Sequence, residues 1–83
     1  MSAEEMEALR KTLGFTQAEM AKALGIGLTT YSEMIRRGEI EERYRLAAER
    51  VALSIAVQRG NPMLAPPSIR KEALALANLI TEG

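Results

Sequence analysis

Apolar positions recur three and four residues apart along most of the chain, and no strand pattern is convincing, so the sequence predicts helices. Ser2 followed by Glu5 is a capping-box pattern, and Met6, Leu9 and Leu13 then form one stripe. A first helix is expected over about Ala3 to Leu13, ended by Gly14. Thr16 and Glu19 repeat the capping box, with Ala18, Met20, Ala21 and Leu24 recurring at helical spacing behind it. Phe15, just before that cap, is placed to staple onto Met20 or Ala21. Gly25 supplies the positive φ that ends this helix, Ile26 anchors the turn, and a further helix runs from about Leu28 to Arg37, closed by Gly38.

Beyond Gly38 the pattern changes. From about Ile40 to Gln58 there is neither proline nor glycine, and Tyr44, Leu46, Ala47, Val51, Leu53, Ile55, Ala56 and Val57 occupy more than one face. Such a helix needs burial on two sides, and in so small a chain one side is expected to meet the preceding helices and the other a second subunit. Pro62, Pro66 and Pro67 then make a stiff loop, in which Met63 and Leu64 are expected to cover an apolar patch. Ser68 is expected to cap a last helix to about Thr81, with Ile69, Ala73, Leu76 and Ile80 on one side and Leu74, Ala77 and Leu79 beside them. The total is five helices: an all-α chain, with residues 1–59 as a core and 60–83 as a loop and helix for dimerisation within one domain.

The second and third helices are joined by so short a turn that they must cross steeply, which is helix-turn-helix geometry. The second helix of such a pair is the one placed in the DNA major groove. Composition narrows the alternatives. The chain lacks cysteine, histidine and aspartate, so the commonest nucleophiles, bases and metal ligands are missing. No enzyme activity, cofactor, metal or small-molecule ligand is expected. No apolar run approaches the ~20 residues of a membrane span, and the amino terminus is acidic and amphipathic without an apolar leader. A cytoplasmic location follows as the expectation.

Charge cuts the other way. Eleven cationic residues balance eleven glutamates, so no global field draws the chain to DNA. The distribution must supply what the total does not. Arg36 and Arg37 end the third helix, Arg43 and Arg45 follow, and Arg10, Lys11 and Lys22 can converge on the same side. The glutamates are expected at solvent-facing helix positions.

The segment from about Glu5 to Arg50 resembles the Cro/phage-repressor (XRE-like) helix-turn-helix family, through LRKTLGFTQAEMAKALGIGLTTYSEMIRRG and above all the TQ-x-E-x-A-x-x-L-G block from Thr16 to Gly25. The resemblance covers roughly half of the chain. It implies a five-helix, lambda-repressor-like domain and a transcriptional regulator, in many members a homodimer on a palindromic operator in double-stranded DNA. It places Gln17 where the family holds a phosphate. It also sets Leu28, Thr29, Ser32 and Glu33 where base edges are read, Thr30 near the backbone-facing side, and Tyr31 and Met34 toward the core. The family's E-x-G ending is here Ile35-Arg36-Arg37-Gly38, and Gly27 and Leu28 stand where a serine and a polar residue are usual. Arg10, whose usual partner is that missing glutamate, is then expected to bind phosphate or to pair with Glu39.

The residue chemistry fits these assignments. Leu28 can touch a thymine methyl, Thr29 and Ser32 can donate or accept, and Glu33 can accept from cytosine N4, unless it pairs with Arg36 or Arg37. Gln17, Arg10, Thr30, Arg36, Arg37 and Arg43 are the candidate phosphate contacts. No Arg, Asn or Gln stands at the base-reading positions for a bidentate contact, so two modules in a repressor homodimer are expected to share the readout. The neutral charge, Leu28 and Glu33 also suit an alternative: a protein-interaction module on the same fold, such as a regulatory partner of a polymerase or a phage-encoded inhibitor.

Overall fold

A computed structural model describes residues 1–82 of the chain. Five α-helices follow one another: α1 (Ala3–Leu13), α2 (Gln17–Leu24), α3 (Leu28–Arg37), α4 (Glu42–Arg59) and, after a 3-10 turn at Pro62–Leu64, α5 (Pro67–Glu82). No strand forms among the described residues; a single backbone bridge joins Ser2 to Glu39.

The first three helices start and stop where the capping residues place them. Ser2 Oγ accepts from the Glu5 amide at 3.1 Å and Glu5 Oε1 from the Ser2 amide at 3.3 Å. Thr16 and Glu19 make the same reciprocal pair at 3.1 and 2.8 Å. Each box satisfies two amides that the helix cannot. Met6, Leu9 and Leu13 of α1, Met20 and Ala21 of α2, and Tyr31 and Met34 of α3 close into one core, with Phe15 and Leu24 packed against it. Ala18 is exposed and contributes nothing to that stripe.

The expected start of the fourth helix at Ile40 is corrected to Glu42. The segment between α3 and α4 is held extended against the amino terminus: the Ala3 amide donates to the Gly38 carbonyl at 3.1 Å and the Ile40 amide to the Met1 carbonyl at 3.2 Å. Ile40 is thereby buried in the core as a linker residue. Within α4, Ala48, Ala52 and Ala56 are the buried residues, one turn apart. Their short side chains bring the α4 backbone close to α1 and α2, so the larger apolar residues are displaced to its flanks. Arg59 Nη1 donates to the Leu13 carbonyl at 3.0 Å and ties the far end of α4 to the end of α1.

Two further expectations are corrected. Met63 is exposed, and only Leu64 packs on the core, because the 3-10 turn points the two side chains apart. Ser68 does not cap the last helix. α5 begins at Pro67, two residues before the Ile69 start that a Ser68 cap implies, and the fixed φ and missing amide of proline suit a first helical position. α5 packs chiefly against α4, and its apolar side is left largely uncovered.

Candidate nucleic-acid interface

α3 is held by the turn before it and the core behind it. Gly25 adopts φ 78°, and the Ile26 amide returns to the Ala21 carbonyl at 3.0 Å. This closure lets a half-buried Ile26 fix the angle between α2 and α3. Gly27 is the N-cap of α3 and offers no side-chain bond to the helix amides. Tyr31 and Met34 point inward, and Ile35 is half-buried beside them.

The opposite side of α3 is open. Leu28, Ser32 and Arg36 form one row at four-residue spacing, Thr29, Glu33 and Arg37 form the adjacent row, and all six are exposed. Thr30 is exposed on the flank next to Arg37. Among the described residues neither Arg36 nor Arg37 has an ion-pair partner, and the alternative pairing of Glu33 with either arginine does not form. The two arginines differ in surroundings. Arg37 borders a depression that also carries Glu39 and Glu41, whereas Arg36 lies on the open row behind Ser32.

Beneath this face lies a polar cluster absent from the sequence reading. The Glu7 carboxylate accepts from Arg10 Nε at 2.8 Å and Nη2 at 3.0 Å, from Gln17 Nε2 at 3.0 Å and from the Tyr31 hydroxyl at 2.7 Å. Arg10 Nη1 completes the set by donating to the Phe15 carbonyl at 2.7 Å. One carboxylate thus joins α1, the start of α2 and the middle of α3. The Arg10 guanidinium, foremost, and the Tyr31 and Gln17 bonds hold the Glu7 carboxyl well below its ordinary value, at about 2, against the opposing effect of burial. Burial, followed by the Glu7 contact, pushes the Tyr31 phenol up.

Several sequence expectations change accordingly. Glu7 and Glu49 are the exceptions to the solvent-facing glutamates among the described residues, with side chains 20 and 14% exposed. Arg10 neither stands free nor reaches Glu39; its fork is occupied by Glu7 and Phe15. Gln17 gives one side-chain N–H to Glu7 and keeps a second at the amino-terminal end of α2. Arg43 is exposed but pairs with Glu41 at 2.9 Å and lies over the neighbouring Tyr44 ring. Arg45 is held between Glu42 and Glu49. The carboxylates at 41, 42 and 49 therefore neutralise the arginines at the start of α4, and the unpaired cations near the motif are Lys11, Lys22, Arg36 and Arg37 among the described residues. A signal for the Glu7 cluster was present in the sequence: Glu7 and Arg10 are three residues apart on one helix. Nothing in one-dimensional spacing brought Tyr31 to them.

Compared with known proteins, residues 6–41 match the model of the helix-turn-helix family, a span from within α1 to the residue before α4. No curated protein and no solved structure matches the chain. No described helix is long and apolar enough to cross a membrane.

Proposed function

Residues 6–41 being a helix-turn-helix of the Cro/phage-repressor type, a DNA-binding regulator fold, we propose that the chain is a sequence-specific transcriptional repressor acting as a homodimer on a palindromic operator. The observation that carries this reading is the two-rowed outer side of α3, with exposed groove-reading side chains along it and unpaired guanidiniums at its end. Leu28, Thr29, Ser32 and Glu33 read base edges. Arg36 and Arg37, with Thr30 and the remaining N–H of Gln17, contact phosphates and set the register. Arg43 reaches phosphate only by exchanging Glu41 for it, and Arg10 acts from beneath by holding Gln17's partner Glu7 in place. Residues 60–83 supply contacts between subunits. The cell compartment that fits this activity is the cytoplasm.

The test is a mobility-shift titration against DNA from the promoter region beside its own gene. A specific complex that weakens steeply as salt rises supports the proposal. Absence of any retardation at low salt refutes it, and a protein target bound with Arg36 and Arg37 both replaced by alanine would establish the interaction module instead.

A further inference from the structure

Where α4 ends, the chain folds back on itself and leaves a cleft. Gly60 turns it at φ 64°, the Asn61 amide returns to the Ala56 carbonyl at 2.9 Å, and Asn61 Oδ1 accepts from the Met63 amide at 3.1 Å. Pro62, Pro66 and Pro67 stiffen the return. The 3-10 turn and the first half of α5 are thereby set against the end of α4, with a cleft of about 550 Å³ between the three elements. Small side chains give it depth: the buried Ala56 and Ala65 and the half-buried Ala73. Val57 and Leu74 also line it, and they keep 73 and 63% of their surface exposed. A cleft of this size takes a small organic molecule. Because its lining comes from three elements, residue spacing along the chain gives no sign of it.

Among the described residues one charged side chain, Arg70, lines this otherwise apolar cleft. It is half-buried and has no ion-pair partner among those residues. Its Nη1 donates to the Met63 sulfur at 2.8 Å. A thioether is a neutral, weak acceptor, and Met63 is exposed, so a stronger acceptor can displace it. The five N–H donors of a guanidinium form a fork that matches a carboxylate. We infer that the cleft binds a small amphipathic carboxylate, with its aliphatic tail against Val57, Leu74 and the alanines and its head on the Arg70 fork. The charge of the lining selects this occupant. No carboxylate lines the cleft to hold an ammonium head, and an uncharged tail would leave the half-buried guanidinium without a partner. A nucleic acid would find a single cation in apolar surroundings. No residue of α3 lines the cleft, so the inference does not rest on the DNA-binding reading, and either can fail without the other.

Isothermal titration calorimetry of the full chain with octanoate, kept below its micellar concentration and without DNA, tests this. The expected result is a single saturable site per chain. Octanol and octylammonium carry the same tail and should bind about 10-fold more weakly or worse, since neither can accept from the guanidinium as a carboxylate does. Arg70→Gln should weaken octanoate by about 10-fold or more and leave octanol unchanged. Ala73→Phe puts a ring into the cleft and should abolish octanoate binding. Helicity by circular dichroism shows whether each variant is folded; Arg70→Gln, which keeps a side chain of similar length, decides the matter should the Ala73 variant lose its helicity. No saturable site for octanoate, octanol bound as tightly as octanoate, or octanoate binding indifferent to Arg70→Gln in a folded variant overturns the inference.

Discussion

The Tyr31 hydroxyl donates to the Glu7 carboxylate at 2.7 Å, joining the third helix to the first across 24 residues of sequence. It is the polar contact that fixes the roll of α3, because the other α3 residues facing inward, Met34 and Ile35, are apolar and tolerate sliding. Tyr31→Phe keeps the ring and removes only this bond, so the expected loss is about 1–2 kcal/mol of unfolding free energy. Urea denaturation measures it directly. A variant within about 0.3 kcal/mol of the parent would show that the bond holds nothing.

Acid should act through the same carboxylate. Glu7 titrates at about 2 in the folded chain, below its ordinary 4.5. A depressed carboxyl contributes its full stabilisation above the unfolded value and loses it as the pH falls toward the folded one. The urea midpoint should therefore drop between about pH 4.5 and pH 2. Glu19 and Glu42 are also lowered, by the Thr16 cap and by Arg45 respectively, and add slopes of the same sign. The comparison that isolates Glu7 is Glu7→Gln, whose midpoint should fall less steeply over this window than the parent's. Parallel slopes would contradict the assignment.

The turn before α3 holds two glycines with different reasons for being there. Gly25 has φ 78°, which strains any L side chain even though nothing lies within 4 Å of where a Cβ would be. Gly27 has φ −77° and an extended ψ, open to any residue, and caps α3 without a side chain. Gly25→Ala should cost about 1 kcal/mol, whereas Gly27→Ser should gain a few tenths, roughly 0.3 kcal/mol, by capping an α3 amide. Thermal unfolding of the two variants should shift in opposite directions. A shift of the same sign would refute the distinction.

Local signals explain what was legible in the sequence. Capping boxes at Ser2–Glu5 and Thr16–Glu19 and glycines at 14, 25 and 38 act within one turn, so the first three helices could be bounded to the residue. The inward face of α1 followed from spacing, and that of α3 from the family resemblance, which set Tyr31 and Met34 toward the core. What spacing cannot express is a partner far along the chain. The bridge from Ser2 to Glu39 delayed the start of α4, and alanines 48, 52 and 56 replaced larger residues at its buried face because neighbouring helices approach closely. In the candidate interface, the outward rows of α3 were legible. The arginines were not, since their availability depends on which carboxylates fold next to them: Arg10 and Arg43 are engaged, Arg36 is open, and Arg37 stands beside Glu39 and Glu41.

That last difference separates two adjacent side chains of the same type. Each guanidinium that neutralises a phosphate releases counterions, and its loss lowers the slope of log affinity against log salt by about 0.9. Arg36, on the row with Leu28 and Ser32 and outside the depression that Glu39 and Glu41 line, should account for a full contact. Arg37 shares its surroundings with two carboxylates, so part of its charge is already balanced and its removal should change the slope by less. Both are exposed and have no ion-pair partner among the described residues, so each alanine variant should unfold within about 0.5 kcal/mol of the parent, and any change in DNA affinity then belongs to the interface. The measurement is a salt titration of operator binding for Arg36→Ala, Arg37→Ala and Glu39→Gln. The first should be weakest and flattest against salt, the second intermediate, and the third tighter than the parent, because removing a carboxylate beside Arg37 returns that cation to the duplex. Equal slopes for the two arginine variants, or a Glu39→Gln variant no tighter than the parent, would show that the carboxylates beside α3 do not govern which cations meet the phosphates.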